Sequence, residues 1–277
     1  MELSDSVVDH LREVVDLPDL TGTRYTLENE IGRGGMGVVY AARDRDLDRR
    51  VALKVVDAAL SGEPRLIALL EHPAIVPVYE TGVLPDGRVF YAMKLVTGAR
   101  LDRHIASCPT LAERLRVIQR VGEAMGFAHS RGVLHRDLKP QNVMVGAFGE
   151  VYVMDWGVEG VAGTPAFRAP EGACDARSDI YSLGALLRFA VDTPKPAPQL
   201  LAIAGKAMSL DPAARYPDAA ALLADIERFQ AGLAVEAYPE SVWQTVRRYA
   251  ARNAVLLWLL AAYVTVRFLL FLLRAHP

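Results

Sequence analysis

The octapeptide His135-Arg136-Asp137-Leu138-Lys139-Pro140-Gln141-Asn142 places a carboxylate, an ammonium group and a side-chain amide within one tight loop. Thirteen residues after Asn142 comes Asp155, in the tripeptide Asp155-Trp156-Gly157. Asn142 and Asp155 together offer oxygen ligands, the kind a hard divalent ion such as Mg2+ prefers. Upstream stands the glycine-rich turn Gly32-Arg33-Gly34-Gly35-Met36-Gly37. Glycines let a backbone close over phosphates and present N–H groups to them. The turn continues as Val38-Val39-Tyr40, a strand rather than a helix, which favours a β-hairpin cover over a dinucleotide-binding unit. Lys54 then ends the apolar strand Val51-Ala52-Leu53-Lys54, where a buried ammonium requires a partner.

These segments, in this order, resemble the bacterial eukaryotic-type (Hanks-type) Ser/Thr protein kinases. The resemblance implies ATP as phosphoryl donor, Mg2+ as the ion and a protein Ser/Thr hydroxyl as acceptor. It implies that Asp137 is the base, whose main task in a loose transition state is to orient the hydroxyl. Lys139 would neutralise charge on the transferring phosphoryl group, and Asn142 and Asp155 would hold Mg2+. Ile31, Gly32, Gly34 and Gly37 would border the phosphates. Val39 and Ala52 would roof the adenine, Met144 would floor it, and Met93 would be the gatekeeper. The Lys94 carbonyl and Val96 amide would face the base. Lys54 would bridge the α- and β-phosphates and a glutamate on the helix that follows. That glutamate falls on Glu63, with Ser61 as helix cap; Glu71 is the other candidate, and a Lys54 lacking this partner is the third reading. His135 and Trp156, which replaces the usual phenylalanine, are expected to pack between the lobes. Thr164 is expected near Asp137 and Lys139, Glu171 in a buried pair with Arg215, and Asp179 as acceptor of catalytic-loop N–H groups.

Two stretches depart from the pattern. Between Gly157 and Gly163 stand only Val158, Glu159, Gly160, Val161 and Ala162, with no phosphorylatable hydroxyl. Arg136 therefore meets Glu159 as a fixed acidic partner or needs none, and phosphorylation of this loop cannot switch the enzyme. The second shortening follows Gly184, where Pro194, Pro196 and Pro198 lead almost directly into the next helix. A helix that supports protein-substrate docking in the family is missing there. An active Ser/Thr kinase with a reduced docking platform is the favoured reading. A nucleotide-binding pseudokinase or membrane scaffold is the alternative, and a small-molecule kinase the third.

The elements that must position these residues form an α+β, bilobal kinase-like fold. Residues 1–24 read as an amphipathic helix and linker, and residues 25–96 as a small lobe of five strands (25–31, 38–43, 50–56, 76–83, 88–96) and one helix. Residues 97–232 read as a helical lobe, with helices over 111–130, 178–191, 197–209 and 217–231. The hinge falls near Lys94–Gly98. Residues 233–253 are a juxtamembrane segment. Residues 254–273 are apolar save Thr265 and Arg267, and twenty residues at 1.5 Å each span about 30 Å, a bilayer core. A single-pass membrane helix is favoured over an interfacial or buried one, because Trp243, Tyr249, Trp258 and Tyr263 flank or stud it and Arg247, Arg248 and Arg252 precede it. This orientation puts the kinase lobes in the cytoplasm at the inner or plasma membrane, and no external sensor domain is expected. The chain has 277 residues, 52% of them hydrophobic, and a formal net charge of -2, which recruits no nucleic acid. The two cysteines, Cys108 and Cys174, lack metal-ligand spacing and read as reduced thiols. The acidic start gives no sign of a signal peptide, and no internal repeat is present.

Overall fold

The computed structural model describes residues 17–34, 37–57, 70–108, 110–156, 165–172 and 175–275. The helix expected over residues 3–17, Gly35, Met36, Ser61, Glu63 and its helix, the segment 157–164 with Glu159 and Thr164, and Cys174 lie outside the described residues, save Leu17 at the end of the first.

The small lobe is a five-stranded antiparallel sheet in the order β1 (Tyr25–Gly34), β2 (Gly37–Asp44), β3 (Arg49–Val56), β5 (Val89–Lys94), β4 (Val78–Val83). Side chains alternate across a strand, so each register pair fixes a face. Tyr40 opposite Leu53 and Leu53 opposite Ala92 place a run with Ala42, Val51, Val55 and Phe90 on one side, where these residues form a core. The opposite face carries Val39 opposite Lys54, Lys54 opposite Tyr91, and Ala52 opposite Met93. Lys54 is thus carried onto the face turned away from that core. Gly37 closes the β1–β2 hairpin at φ +134°, and a Cβ there would run into the Val55 carbonyl, so only glycine fits.

The larger lobe starts with α1 (Leu101–Ser107) and α2 (Leu111–Ser130). The Thr110 hydroxyl accepts from the Glu113 amide and caps α2. Next come β7 (Val143–Gly146) and β8 (Val151–Val153), which pair with β6 (Gly98–Arg100) in a second antiparallel sheet. This sheet adds to the mostly helical expectation; strands of three or four residues give too short a pattern to read. Then follow α3 (Ala176–Ala190), α4 (Pro198–Ala207) and α5 (Ala219–Gln230). Asp175 and Ser178 form a reciprocal capping box on α3. Gly184 of α3 faces α4 so closely that a Cβ would stand 2.5 Å from the Ala207 Cβ. The two helices pack directly on each other, with only residues 191–197 between them.

The core of the larger lobe takes in chain on both sides of residues 97–232. Leu70, Ala74 and Ile75 join the core of the larger lobe, and Ile75 bridges Val153 in parallel, with the Val153 amide donating to the Ala74 carbonyl at 2.8 Å. At the other end the larger lobe runs past residue 232. Val235 is buried in its core, and the Asp225 carboxylate accepts from the amides of Glu236 (2.8 Å) and Ala237 (3.0 Å).

The segment read as juxtamembrane contains α6 (Val242–Arg252), capped by a Ser241/Gln244 box. After Asn253 comes α7 (Ala254–Ala275). Among the described residues no single helix is long and apolar enough to cross a membrane. The pair Val242–Ala251 and Ala254–Phe268, bent by 82°, reaches that length and composition only when taken together.

Candidate active site

The catalytic octapeptide lies between α2 and β7, held from beneath by one carboxylate. Asp179 of α3, 2% exposed, accepts from the His135 amide (2.8 Å), the Arg136 amide (3.0 Å) and His129 Nε2 (2.9 Å). A buried carboxylate with three donors is satisfied, so it fixes the loop without an uncompensated charge. Arg136 accordingly adopts φ +70°, a left-handed turn that a non-glycine residue rarely takes. The expectation for Asp179 holds. The part played by His129 was not foreseen; a histidine in the last turn of a helix reads equally well as a helix-end cap.

His135 is fully buried and its ring lies 4.8 Å from that of Trp156. Its Nε2 is 2.9 Å from the Met154 carbonyl and its Nδ1 is 3.3 Å from the Asp137 amide. Only the tautomer protonated on Nε2 serves both: Nε2–H donates to Met154, and Nδ1 accepts from Asp137 N–H. Burial pushes its pKa down, outweighing the upward pull of Asp179, Asp155 and Asp137, and so keeps the ring neutral. Trp156, 1% exposed, donates from its indole to the Val153 carbonyl at 3.1 Å. Both rings therefore pack, as their sequence positions suggest.

Asp137 Oδ2 accepts from Lys139 Nζ at 2.6 Å and from Asn142 Nδ2 at 3.2 Å. The same Nδ2 donates to the Asp137 carbonyl at 2.8 Å. With its NH2 group held there, Asn142 keeps its Oδ1 as an oxygen donor. Across the lobes, Lys54 Nζ donates to Asp155 Oδ1 at 3.0 Å and stands 5.5 Å over the Tyr91 ring. Asp155 adopts φ +56°. An amide oxygen and a carboxylate fit Mg2+, which takes few protein ligands and completes its shell from phosphates and water.

The expected adenine-side residues fall as follows. Val39, Ala52 and Met93 share the Lys54 face of the sheet, with Ala52 4% exposed. Ile31 is exposed at a register shift of β1, between Glu30 and Gly32. Gly32 and Gly34 pair with Val39 and Gly37 in the hairpin. Lys94 ends β5, Val96 follows half-buried, and Met144 lies on β7 opposite Tyr152. Lys94 has a role that sequence did not reveal. Its ammonium donates to the Tyr152 hydroxyl and lies 4.5 Å over that ring, tying β5 to β8 across the hinge.

Arg215 grips Glu171 with both terminal nitrogens, at 2.6 and 2.8 Å, and donates to the carbonyls of Ser209 and Arg177. Its side chain is wholly buried, and it holds the Glu171 carboxyl below the usual range. The expected ion pair is present.

A two-lobed fold with this loop, lysine and aspartate defines a protein kinase domain. The chain matches the protein kinase domain family over residues 25–201 and belongs to it. It is 33% identical over 281 residues to the serine/threonine-protein kinase PknB of Mycolicibacterium smegmatis, covering 79% of this chain and 45% of that one. It is 38% identical over 205 residues to the DNA damage-responsive serine/threonine-protein kinase RqkA of Deinococcus radiodurans, covering 63% of this chain and 31% of that one. The chain thus spans less than half the length of these relatives. The crystal structure of the Mycobacterium tuberculosis PknI kinase domain superposes with a TM-score of 0.61 at 27% identity, covering 76% of this chain and 96% of that one.

Proposed function

We propose that this chain is a Ser/Thr protein kinase that transfers the γ-phosphate of ATP to a protein hydroxyl. The observation that carries the reading is the shared Asp137 Oδ2, held by Lys139 and Asn142 beside the Lys54–Asp155 pair. Asp137 orients the acceptor hydroxyl and takes its proton as the hydroxyl oxygen bonds to the γ-phosphorus and the bond from that phosphorus to the bridging oxygen breaks, releasing ADP. Lys139 stands where negative charge develops on the transferred group. Lys54 would hold the phosphates, and Asn142 with Asp155 would hold Mg2+, which would supply positive charge against the phosphate oxygens. Glu63 remains the partner proposed for Lys54.

The reading extends to the cell. The loop between Gly157 and Gly163 has no hydroxyl, so its phosphorylation does not switch the enzyme. The chain is anchored in the inner or plasma membrane through α7, with the kinase lobes in the cytoplasm. In support, α7 carries exposed apolar residues along its described length, from Val255 and Trp258 to Tyr263 and Phe268. Arginines 247 and 248 precede it, as positive-inside topology requires.

Phosphate transfer from γ-labelled ATP with Mg2+ tests the activity, with a generic basic protein as acceptor and Asp137→Asn as control. Label that falls about 10²–10⁴-fold in the control establishes the kinase. No label, with Mg2+-dependent nucleotide binding retained, would support the scaffold reading. The direct packing of α3 on α4, with a short connection where a docking helix is expected, is what keeps that second reading open.

A further inference from the structure

Helix α6 has an apolar face that no part of the described structure covers. Val242, Trp243, Val246 and Tyr249 are 79%, 83%, 53% and 68% exposed. At 100° per residue they fall on one side of the helix, with Ala250 among them. Arg247 sits at the flank of that stripe, next to Trp243, and is exposed. The opposite side is polar and is held by the segment that leads into the helix. There Arg248 donates to both oxygens of Glu240, at 3.0 and 2.9 Å, and Gln244 donates to the Tyr238 hydroxyl at 3.1 Å. Tyr238 closes the segment whose Glu236 and Ala237 amides are bound by Asp225 in the core. The helix is therefore tied to the lobe by its polar side, and its apolar side is turned out.

Two further observations name what that face meets. α6 and the predominantly apolar α7 are bent by 82° at their junction, so a helix along the membrane normal sets its neighbour nearly in the membrane plane. From Ser241 to the last residue the sequence holds five arginines and no aspartate or glutamate, in a chain whose net charge is -2. We infer that α6 lies in the headgroup region of an anionic lipid surface, with Trp243 and Val246 at the boundary between headgroups and acyl chains and Arg247 reaching lipid phosphates. Its polar side then holds the kinase lobe at a set orientation to the bilayer. Helices of this kind bury their apolar face about 5–10 Å into the interface. This inference rests on the membrane anchoring proposed above, and the test separates the two.

The full chain is reconstituted into vesicles of phosphatidylcholine and phosphatidylglycerol, made with lipids brominated near the headgroup or near the chain end. One reporter carries Trp258→Phe, leaving Trp243 in α6 and the buried Trp156. A second carries Trp243→Phe, Trp258→Phe and Val264→Trp, which puts its probe about 15 Å along α7, the half-thickness of a bilayer core. The expected result is loss of Trp243 emission with shallow bromines and little loss with deep ones, while the residue-264 probe responds to deep bromines. Trp243 left unquenched while residue 264 is quenched would overturn the inference and leave the anchor standing; a protein surface would then cover α6. Trp243 quenched only by deep bromines would also overturn it, because α6 would then be part of a bent span. Quenching of Trp243 by shallow bromines with residue 264 silent would retain the interfacial helix and remove the anchor. Two silent probes would remove both.

Discussion

Asp137, Arg215 and Lys54 are charged side chains with different tasks, and their surroundings separate them. Arg215 has no exposed side-chain surface and four hydrogen bonds, and no ligand is needed to satisfy it. Arg215→Met removes the guanidinium paired with Glu171, and breaking a buried pair from one side costs up to about 3–5 kcal/mol, readable as a lowered denaturant midpoint. The pH dependence follows from the depressed Glu171 pKa. Its stabilisation is complete above the ordinary glutamate value of 4.5 and is lost as pH falls through the lower folded value. Urea titrations from pH 7 to pH 3 are therefore expected to show a fall in stability below about 4.5, flattened in Glu171→Gln. Lys54 is different, since it bridges two lobes through Asp155. Lys54→Met is expected to lower kcat for transfer about 10²–10³-fold while leaving far-UV circular dichroism unchanged. These roles were legible because each residue type stands in a motif whose spacing is rigid. Lys94 was not, because its partner Tyr152 is 58 residues away and nothing local marks a phenol as the acceptor of an ammonium.

Among the elements, the helices with a long apolar period were legible and the short strands were not. The span 111–130 is realised as α2 with both ends in place, since Thr110 and Glu113 announce its start. β6, β7 and β8 owe their existence to pairing with one another rather than to their own composition, so no window over three or four residues could find them. α6 was not singled out within the juxtamembrane segment, because its arginines obscure the period of the apolar residues set among them. Two glycines carry element-level predictions. Gly184→Ala pushes a methyl against Ala207 and is expected to cost about 1–3 kcal/mol, with Ala207→Gly restoring the thermal midpoint. Gly37→Ala meets the Val55 carbonyl from a left-handed backbone. It is expected to disorder the β1–β2 cover and raise the KM for ATP, with a smaller change in the binding of adenosine, which has no phosphates to cradle.

At the scale of the molecule, the two lobes are joined by more than the covalent hinge at residues 95–97. The chain leaves the larger lobe's core at Ile75, crosses β4 and β5, and returns at β6. The segment around Leu70, Ala74 and Ile75 is thus small-lobe chain buried in large-lobe core, with Ile75 zipped to Val153 and Lys94 clasping Tyr152. In chemical terms the covalent hinge is close to redundant. Two polypeptides, one ending at Thr97 and the other beginning at Gly98, hold a ready-made interface and should assemble on mixing into a complex that binds nucleotide. Their association would then report directly, as a dissociation constant, how strongly one half of this kinase domain recognises the other.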